Sequence, residues 1–562
     1  MNEPRTPCDE LLLGSPRFID PSLASIAAEH GPLAAWRAAL KKGGVGAANE
    51  AMDFFSVGLH DGPGRTFLAV DRFSTHPLFY RLIDGQLHFA ARAGALAAIT
   101  PTAQLDAQAI FDYLYFHVIP SPRTIFTDVH RLPAAHYALL ENGALTVAPY
   151  WIPAFEEPVR ASFEPLAEQF RALLRGAVAA ALDDSKPACF LSGGTDSSTV
   201  AGLIGQVAGR PAATYSIGFE AQGYDEMEYA RLAARHFGTE HHELYMSPDE
   251  LVRSIPVVAA QFDQPFGNSS ALPAYYCVRM AREDGVTRLL AGDGGDELFG
   301  GNTRYAKQRV FGWYEQIPAS IRDNLLQPLF GLPALQRMPL LRKGSSYIEQ
   351  ARVPLPDRLQ MYNLLLRLGP EQMLTPSFLA QVDAQAPAMQ QRQVWAQPAA
   401  GSNINRMLAY DWRYTLSEAD LPKVRETAAM AGVEVGFPFL DERLLDFSLR
   451  LPSDYKLKGL RLRWFFKEAL RGFLPNEIIT KKKHGFGLPF GVWVNQHAKL
   501  HALAAESVYG VAARGIVREA FVKLLLDTQL KAHPGYYGEM VWILMMLEQW
   551  LRAHAPNHKV ES

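Results

Sequence analysis

The chain has 562 residues, 48% of them hydrophobic and 20% charged, with a formal net charge of −3. That length predicts two or more globular domains, and the balanced charge excludes a general nucleic-acid binder. Three scattered cysteines (Cys8, Cys189 and Cys277) exclude a disulfide scaffold and a zinc site; with no signal core in Met1 to Leu13 and no apolar run of the roughly 20 residues that span a bilayer, a reduced, cytoplasmic location without membrane partners is expected.

Residues 1–155 read as strand-rich. Thr66-Phe67-Leu68-Ala69-Val70, Leu78 to Ile83 and Gln86 to Ala90 are short apolar runs, the last two joined by Asp84-Gly85 alone, a hairpin signal. Trp151 to Pro158 is an acidic, proline-containing connector and the expected domain boundary, leaving 156–562 as the second domain. From Phe163 the period changes: Phe163, Leu166, Phe170, Leu173, Leu174 and Val178 repeat at helical spacing. Pro187 to Leu191 reads as a strand and Ser197 to Val207 as a helix. Ala213 to Phe219 is a second strand, Asp225 to Phe237 a helix, His242 to Tyr245 a strand, Ser270 to Arg282 a helix and Arg288 to Ala291 a strand. Strand alternating with helix predicts an α/β parallel sheet covered on both faces, with ligands at the carboxyl ends of its strands. Beyond about residue 310 the pattern is mostly helical.

Four segments carry chemistry. In Phe190-Leu191-Ser192-Gly193-Gly194-Thr195-Asp196-Ser197-Ser198, two glycines permit a tight turn whose N–H groups converge on an anion. The serine hydroxyls and the helix start add donors. Asp196 repels phosphate but suits Mg²⁺ that binds it. The segment is not a Walker loop, because no Gly-x-x-x-x-Gly-Lys-Ser/Thr run is present. Ala291-Gly292-Asp293-Gly294-Gly295-Asp296-Glu297 packs carboxylates and glycines into another strand end, where Asp296 would share Mg²⁺ with Asp196. Lys481-Lys482-Lys483-His484-Gly485-Phe486-Gly487 suggests a loop turning a lysine, Lys483 first, toward developing negative charge. In Gly432-Val433-Glu434-Val435-Gly436-Phe437-Pro438-Phe439-Leu440-Asp441, the aromatic residues read as core and Glu434 as a group that orients a catalytic side chain.

Together, FLSGGTDSS, YSIGF, YDEMEYAR, DQPFGNSSALP, AGDGGDELFGG, EVGFPFLDERLLDFSLRLP and KKKHGFGLP resemble the asparagine synthetase family over most of residues 160–495, in the family's order. VDRFSTHPLFY resembles the strand pair of its class II amidotransferase domain, with Val70 and Ser74 in place of the usual arginine and glycine. The resemblance implies an N-terminal Ntn-type αββα sandwich followed by an adenine-nucleotide α-hydrolase-like domain. It implies that Leu191, Ile217 and the Ala291-Gly292 backbone line an adenosine pocket. Ser192, Gly193, Gly194, Thr195, Asp196 and Ser197 would hold pyrophosphate, and Asp196 and Asp296 Mg²⁺. Lys483 would stabilise the transition state, and Asp293 would stand at a catalytic position partnered by Glu434.

Glutamine-hydrolysing members of that family begin Met-Cys-Gly-Ile, the cysteine acting as nucleophile. This chain begins Met1-Asn2-Glu3, and Cys8 is followed by Asp9-Glu10. No Arg-Gly-Pro-Asp or Asn-Gly-Glu run for holding glutamine is present. The expectation is a first domain that keeps its shape without glutaminase chemistry. The second would use ATP and Mg²⁺ to turn a carboxylate, on a small molecule or a peptide, into an acyl-adenylate that an amine attacks. That amine is ammonia, as in a residual asparagine synthetase, or belongs to the substrate, as in β-lactam synthetases and lasso-peptide macrolactam cyclases. The cyclase branch would require a leader-peptide processing partner. A non-catalytic scaffold is the rival from another class, against which the intact carboxylates argue.

Overall fold

The structure is a computed structural model that describes residues 10–100, 104–158, 161–221, 223–322, 324, 347–481 and 487–560. The first part is a sandwich. One antiparallel sheet has the order β1 (Glu10–Gly14), β2 (Phe55–His60), β3 (Thr66–Val70), β7 (His136–Glu141), β8 (Ala144–Pro149); the second has the order β5 (Gln86–Ala90), β4 (Phe79–Ile83), β6 (His130–Arg131). Because successive strand side chains point to opposite faces, Leu68 and Val70 meet Tyr80, Leu87 and Phe89 between the sheets. Phe67 and Ala69 instead face Trp36 and its neighbours on helices α1 (Pro21–His30) and α2 (Pro32–Gly43). Helix α3 (Ala93–Ala97) covers the outer face of the second sheet through Ala93 and Leu96. The layers are therefore helix, sheet, sheet, helix. The β4–β5 turn is Asp84-Gly85, both at positive φ, as a two-residue hairpin requires.

The second part is built on a five-stranded, all-parallel sheet in the order β11 (Glu240–Met246), β10 (Ala213–Phe219), β9 (Ala188–Phe190), β12 (Arg288–Leu290), β13 (Glu434–Gly436). Helices cover both faces: Ala188 packs on one side with Tyr215 and Leu289, and Cys189 on the other with Phe170 and Val200. The chain winds outward from β9 to β11, then crosses back to β12. The strand order reverses between β9 and β12, and ligands of open parallel sheets sit at that switch point.

The two parts interlock. Helix α4 (Ala107–Phe116), upstream of the connector, buries Ile110, Phe111, Tyr113 and Leu114 in the core of the second part, beside the C-terminal helix Pro534–His554. The connector itself is pinned. Phe155 N–H donates to Ala399 O at 2.8 Å, Ala399 N–H donates to Pro153 O at 2.9 Å, and Glu157 accepts from the backbone of Gly401 and Ser402. No helix among the described residues is long and apolar enough to cross a membrane.

Candidate active site

Strand β9 ends at Phe190, and helix α5 (Thr195–Ala208) starts five residues later. Between them Gly193 takes φ +69°, and a side chain there would collide with the Tyr229–Ala230 backbone. The turn is fixed from within: Ser192 N–H donates to Ser197 Oγ at 3.1 Å, and the two hydroxyls lie 3.0 Å apart. After β12, helix α6 (Gly295–Phe299) begins and brings a second acidic loop alongside. Gly295 allows this approach, because a Cβ there would meet Asp196 Oδ1 at 2.5 Å.

The result is a convergence of Asp196 and Asp296 on one guanidinium. Arg463 Nη1 stands 2.6 Å from Asp196 Oδ2 and 2.8 Å from Asp296 Oδ1, and Nη2 donates to Thr195 Oγ1. Burial disfavours the Arg463 charge, but the two carboxylates outweigh it and hold the group cationic. Lys467, one helical turn on, is depressed by burial and by Arg463. These groups line a cavity of about 1260 Å³ that also takes in Leu191, Ser192, Gly194, Ser197, Ile217, Gly292 and Asp293.

Asp293 is partly buried on the cavity wall, and desolvation there pushes its carboxyl up to about 6 against the opposing pull of Lys423. Lys423 Nζ is 3.9 Å from Asp293 Oδ1 and 2.8 Å from Asp420 Oδ1. Burial works against its charge, but Asp420 and Asp293 together raise its pKa. Both lie where a π-helical segment, Trp412–Asp420, runs into helix Leu421–Ala431; π segments recur at functional sites. Lys481, also on the cavity wall, pairs with Glu226 Oε1 at 3.1 Å and lies over the Tyr229 ring.

The structure brings together nearly all of the residues expected from the sequence. Ala291 is an exception of degree: it is buried behind the wall, its N–H donating to Gly436 O at 2.9 Å. Gly193 likewise shapes the turn from beneath. Lys483 and Cys8 lie outside the described residues. Glu434 requires a correction. It sits at the amino end of β13, in register with Arg288, and pairs with that arginine at 3.3 Å. Asp293 follows the carboxyl end of β12, five residues beyond Arg288, or more than about 10 Å away at roughly 3.3 Å per strand residue. Glu434 therefore does not partner Asp293; Lys423 does. Arg463, Lys423 and Asp420 were missed because no local motif marks them.

The donor set fits Mg²⁺. Two carboxylates already face one cationic centre, and Mg²⁺ commonly takes one or two carboxylates plus phosphate oxygens and water. Among the described residues no group of three or more His, Cys, Asp or Glu forms an all-protein metal cage.

A sequence model of the family described as Asparagine synthase matches residues 169–552, and one described as Glutamine amidotransferase domain matches residues 37–151. Asparagine synthetase (glutamine-hydrolyzing) 1 of Bacillus subtilis (strain 168) is 27% identical over 490 residues, 86% of this chain and 74% of its own. A putative asparagine synthetase (glutamine-hydrolyzing) of Mycobacterium tuberculosis (strain ATCC 25618 / H37Rv) is 25% identical over 498 residues, with the same coverages of 86% and 74%. A solved NMN synthetase from Francisella tularensis aligns with 38% of this chain and 96% of its own at 14% identity, with a TM-score of 0.20, too slight a likeness to bear on the argument.

Proposed function

The chain belongs to the asparagine synthase family and is an ATP-dependent ligase; from that premise we propose that it activates a substrate carboxylate as an acyl-adenylate and passes the acyl group to an amine that its own first domain does not supply. The observation that supports this most is the meeting of Asp196 and Asp296 on Arg463 at the sheet's switch point.

ATP would lie with its adenosine against Leu191 and Ile217 and its phosphates over the Ser192–Ser197 turn and the start of α5, where N–H groups and helix potential favour anions. Arg463, Lys467 and Lys481 would neutralise the triphosphate. Asp196 and Asp296 would hold Mg²⁺, which when bound shields phosphate charge. The substrate carboxylate oxygen attacks the α-phosphorus, and the bond to pyrophosphate breaks. An amine nitrogen then attacks the acyl carbon, and the carbon–oxygen bond to AMP breaks. Positioning and charge neutralisation carry both steps. Lys423, close to Asp293, would stabilise the oxyanion of the second step.

The reading that nitrogen comes from elsewhere is supported by the sandwich itself. It carries no Arg-Gly-Pro-Asp or Asn-Gly-Glu run, and the space between its sheets is packed with Leu11, Leu68, Val70, Leu78, Leu87 and Phe89.

The test is purified protein with ATP and Mg²⁺, given L-aspartate or peptides bearing Asp or Glu side chains, with nucleotide products scored. AMP and pyrophosphate are expected; ADP and phosphate would overturn the adenylation reading. Glutamate release from added glutamine would overturn the nitrogen reading.

A further inference from the structure

The cavity is larger than one nucleotide requires. Sites for drug-sized ligands run to roughly 300–1,000 Å³, and this one holds about 1260 Å³. Away from the charged turn its wall is formed by the C-terminal helix Pro534–His554 and by the residues that follow α4. One ionisable pair sits there. His117 Nδ1 is 3.5 Å from Glu539 Oε1, and Glu539, on the cavity wall, has a side chain 55% exposed.

The pair is held from both sides. His117 caps α4 in the left-handed region at φ +64°; its N–H donates to Tyr113 O at 2.7 Å, and its carbonyl accepts from Gly267 N–H at 2.8 Å. Tyr113 Oη in turn donates to Ile543 O at 2.8 Å, one helical turn beyond Glu539. The two helices that carry the pair are thus fixed to each other. His117 Nε2 is buried with no hydrogen-bond partner. An unfilled acceptor costs less than a stranded donor, so the ring proton belongs on Nδ1, facing the carboxylate. Burial lowers the His117 pKa to about 4, which leaves the ring neutral and the Glu539 charge uncancelled. Phe116 and Trp542 line the same cavity, and Tyr224 lies beside Gly535 at the start of the same helix.

We infer that this end of the cavity is the acceptor-amine subsite, where Glu539 binds the ammonium of an organic primary amine and His117 positions the Glu539 carboxylate. The inference rests on the ligase reading above. In the transfer step the ammonium gives one proton to Glu539, and the freed lone pair attacks the acyl carbon. The carbon–nitrogen bond forms, the carbon–oxygen bond breaks, and AMP leaves with the electron pair. The second nitrogen proton goes to the departing phosphate oxygen. Aromatic walls and surplus volume favour an amine on an organic group over ammonia.

The test uses the full chain with ¹³C-labelled histidine, the His117 ring signal being assigned by its loss in His117→Gln. Glycylglycinamide, with one ammonium and no carboxylate, is titrated in the presence of ATP and Mg²⁺. A saturable shift of the His117 signal is expected. N-acetylglycylglycinamide is expected to give none, and ammonium chloride to bind at least about tenfold more weakly. Glu539→Gln is expected to weaken glycylglycinamide binding by at least about tenfold, the loss of one charge-assisted contact. Glu539→Asp is expected to lose less, and ATP affinity, unchanged in both variants, reports that they fold. No saturable shift, equal binding of the acetylated peptide or of ammonium, or indifference to Glu539→Gln would each overturn the inference. Failure of the wild-type chain to bind ATP would overturn the ligase reading instead.

Discussion

Two aspartate settings, one enclosed in the sandwich and one at a cavity beside the parallel sheet, show how the same side chain serves different ends. Asp71 follows β3 and is fully enclosed. It accepts from the N–H groups of Phe55, Phe73 and Thr75 and from the Thr75 hydroxyl, and burial pushes its carboxyl up to about 6. Every partner belongs to the sandwich, and none is a cation. Asp196 and Asp296 face a cavity and share Arg463, a side chain 267 residues beyond Asp196 and brought from a separate segment of the chain. A carboxylate satisfied by its own turn holds that turn in shape. A carboxylate satisfied by a distant cation at a cavity wall is available to a ligand that can offer a competing cation.

The comparison breaks most readily at the cavity. Asp196→Asn and Asp296→Asn are each expected to cut ATP–pyrophosphate exchange by about 100-fold or more, since charge at the reacting phosphates carries the rate. Their melting temperatures are expected to move by only a few degrees. Asp71→Ala is expected to do the reverse. It strands three buried N–H groups, so unfolding titrations should register a loss of about 3 kcal/mol, while exchange per folded molecule stays at the wild-type rate.

Acid sharpens the contrast. Amide formation is expected to fall below about pH 6 as Asp293, beside the Lys423 that serves the second step, takes up a proton, and Asp293→Asn should lose that limb of the profile. For Asp71 the linkage runs through stability. The folded carboxyl keeps its proton up to about pH 6, while the unfolded one gives it up near 3.8. The folded state therefore binds more protons in that window, and stability falls as pH rises through it. Melts from pH 4 to 6 should show a flatter decline in Asp71→Asn. The smallest effect belongs to Glu434→Gln. At the far edge of the sheet, paired with Arg288, it should change exchange less than twofold and stability by no more than about 0.5 kcal/mol.

Much of this was legible in the sequence, because local signals carried it. Ala213–Phe219, Thr66–Val70 and Gln86–Ala90 are strands at the residues read from their apolar runs, and the Asp84-Gly85 turn closes the hairpin. The Ser192 turn and the Asp293–Glu297 loop announced themselves through glycine and carboxylate density. What stayed hidden depends on contacts between distant segments. Nothing near Arg463 marks it as the cation between two aspartates, since that role exists only once residues 196, 296 and 463 meet. Nor does anything near Ile110 or Tyr113 tell that α4 packs against the C-terminal helix. Glu434 misled for the same reason: its motif was plain, but which end of β13 faced the cavity was set by the parallel register with Arg288.

The most direct measurement follows an oxygen atom. With the accepted acid labelled with ¹⁸O in its carboxylate, attack on the α-phosphorus delivers one ¹⁸O to AMP, and Asp196→Asn or Asp296→Asn should suppress that labelled product. Unlabelled AMP, ¹⁸O in inorganic phosphate alongside ADP, or labelling as fast in both variants as in the wild type would contradict a nucleotide site built on those two aspartates.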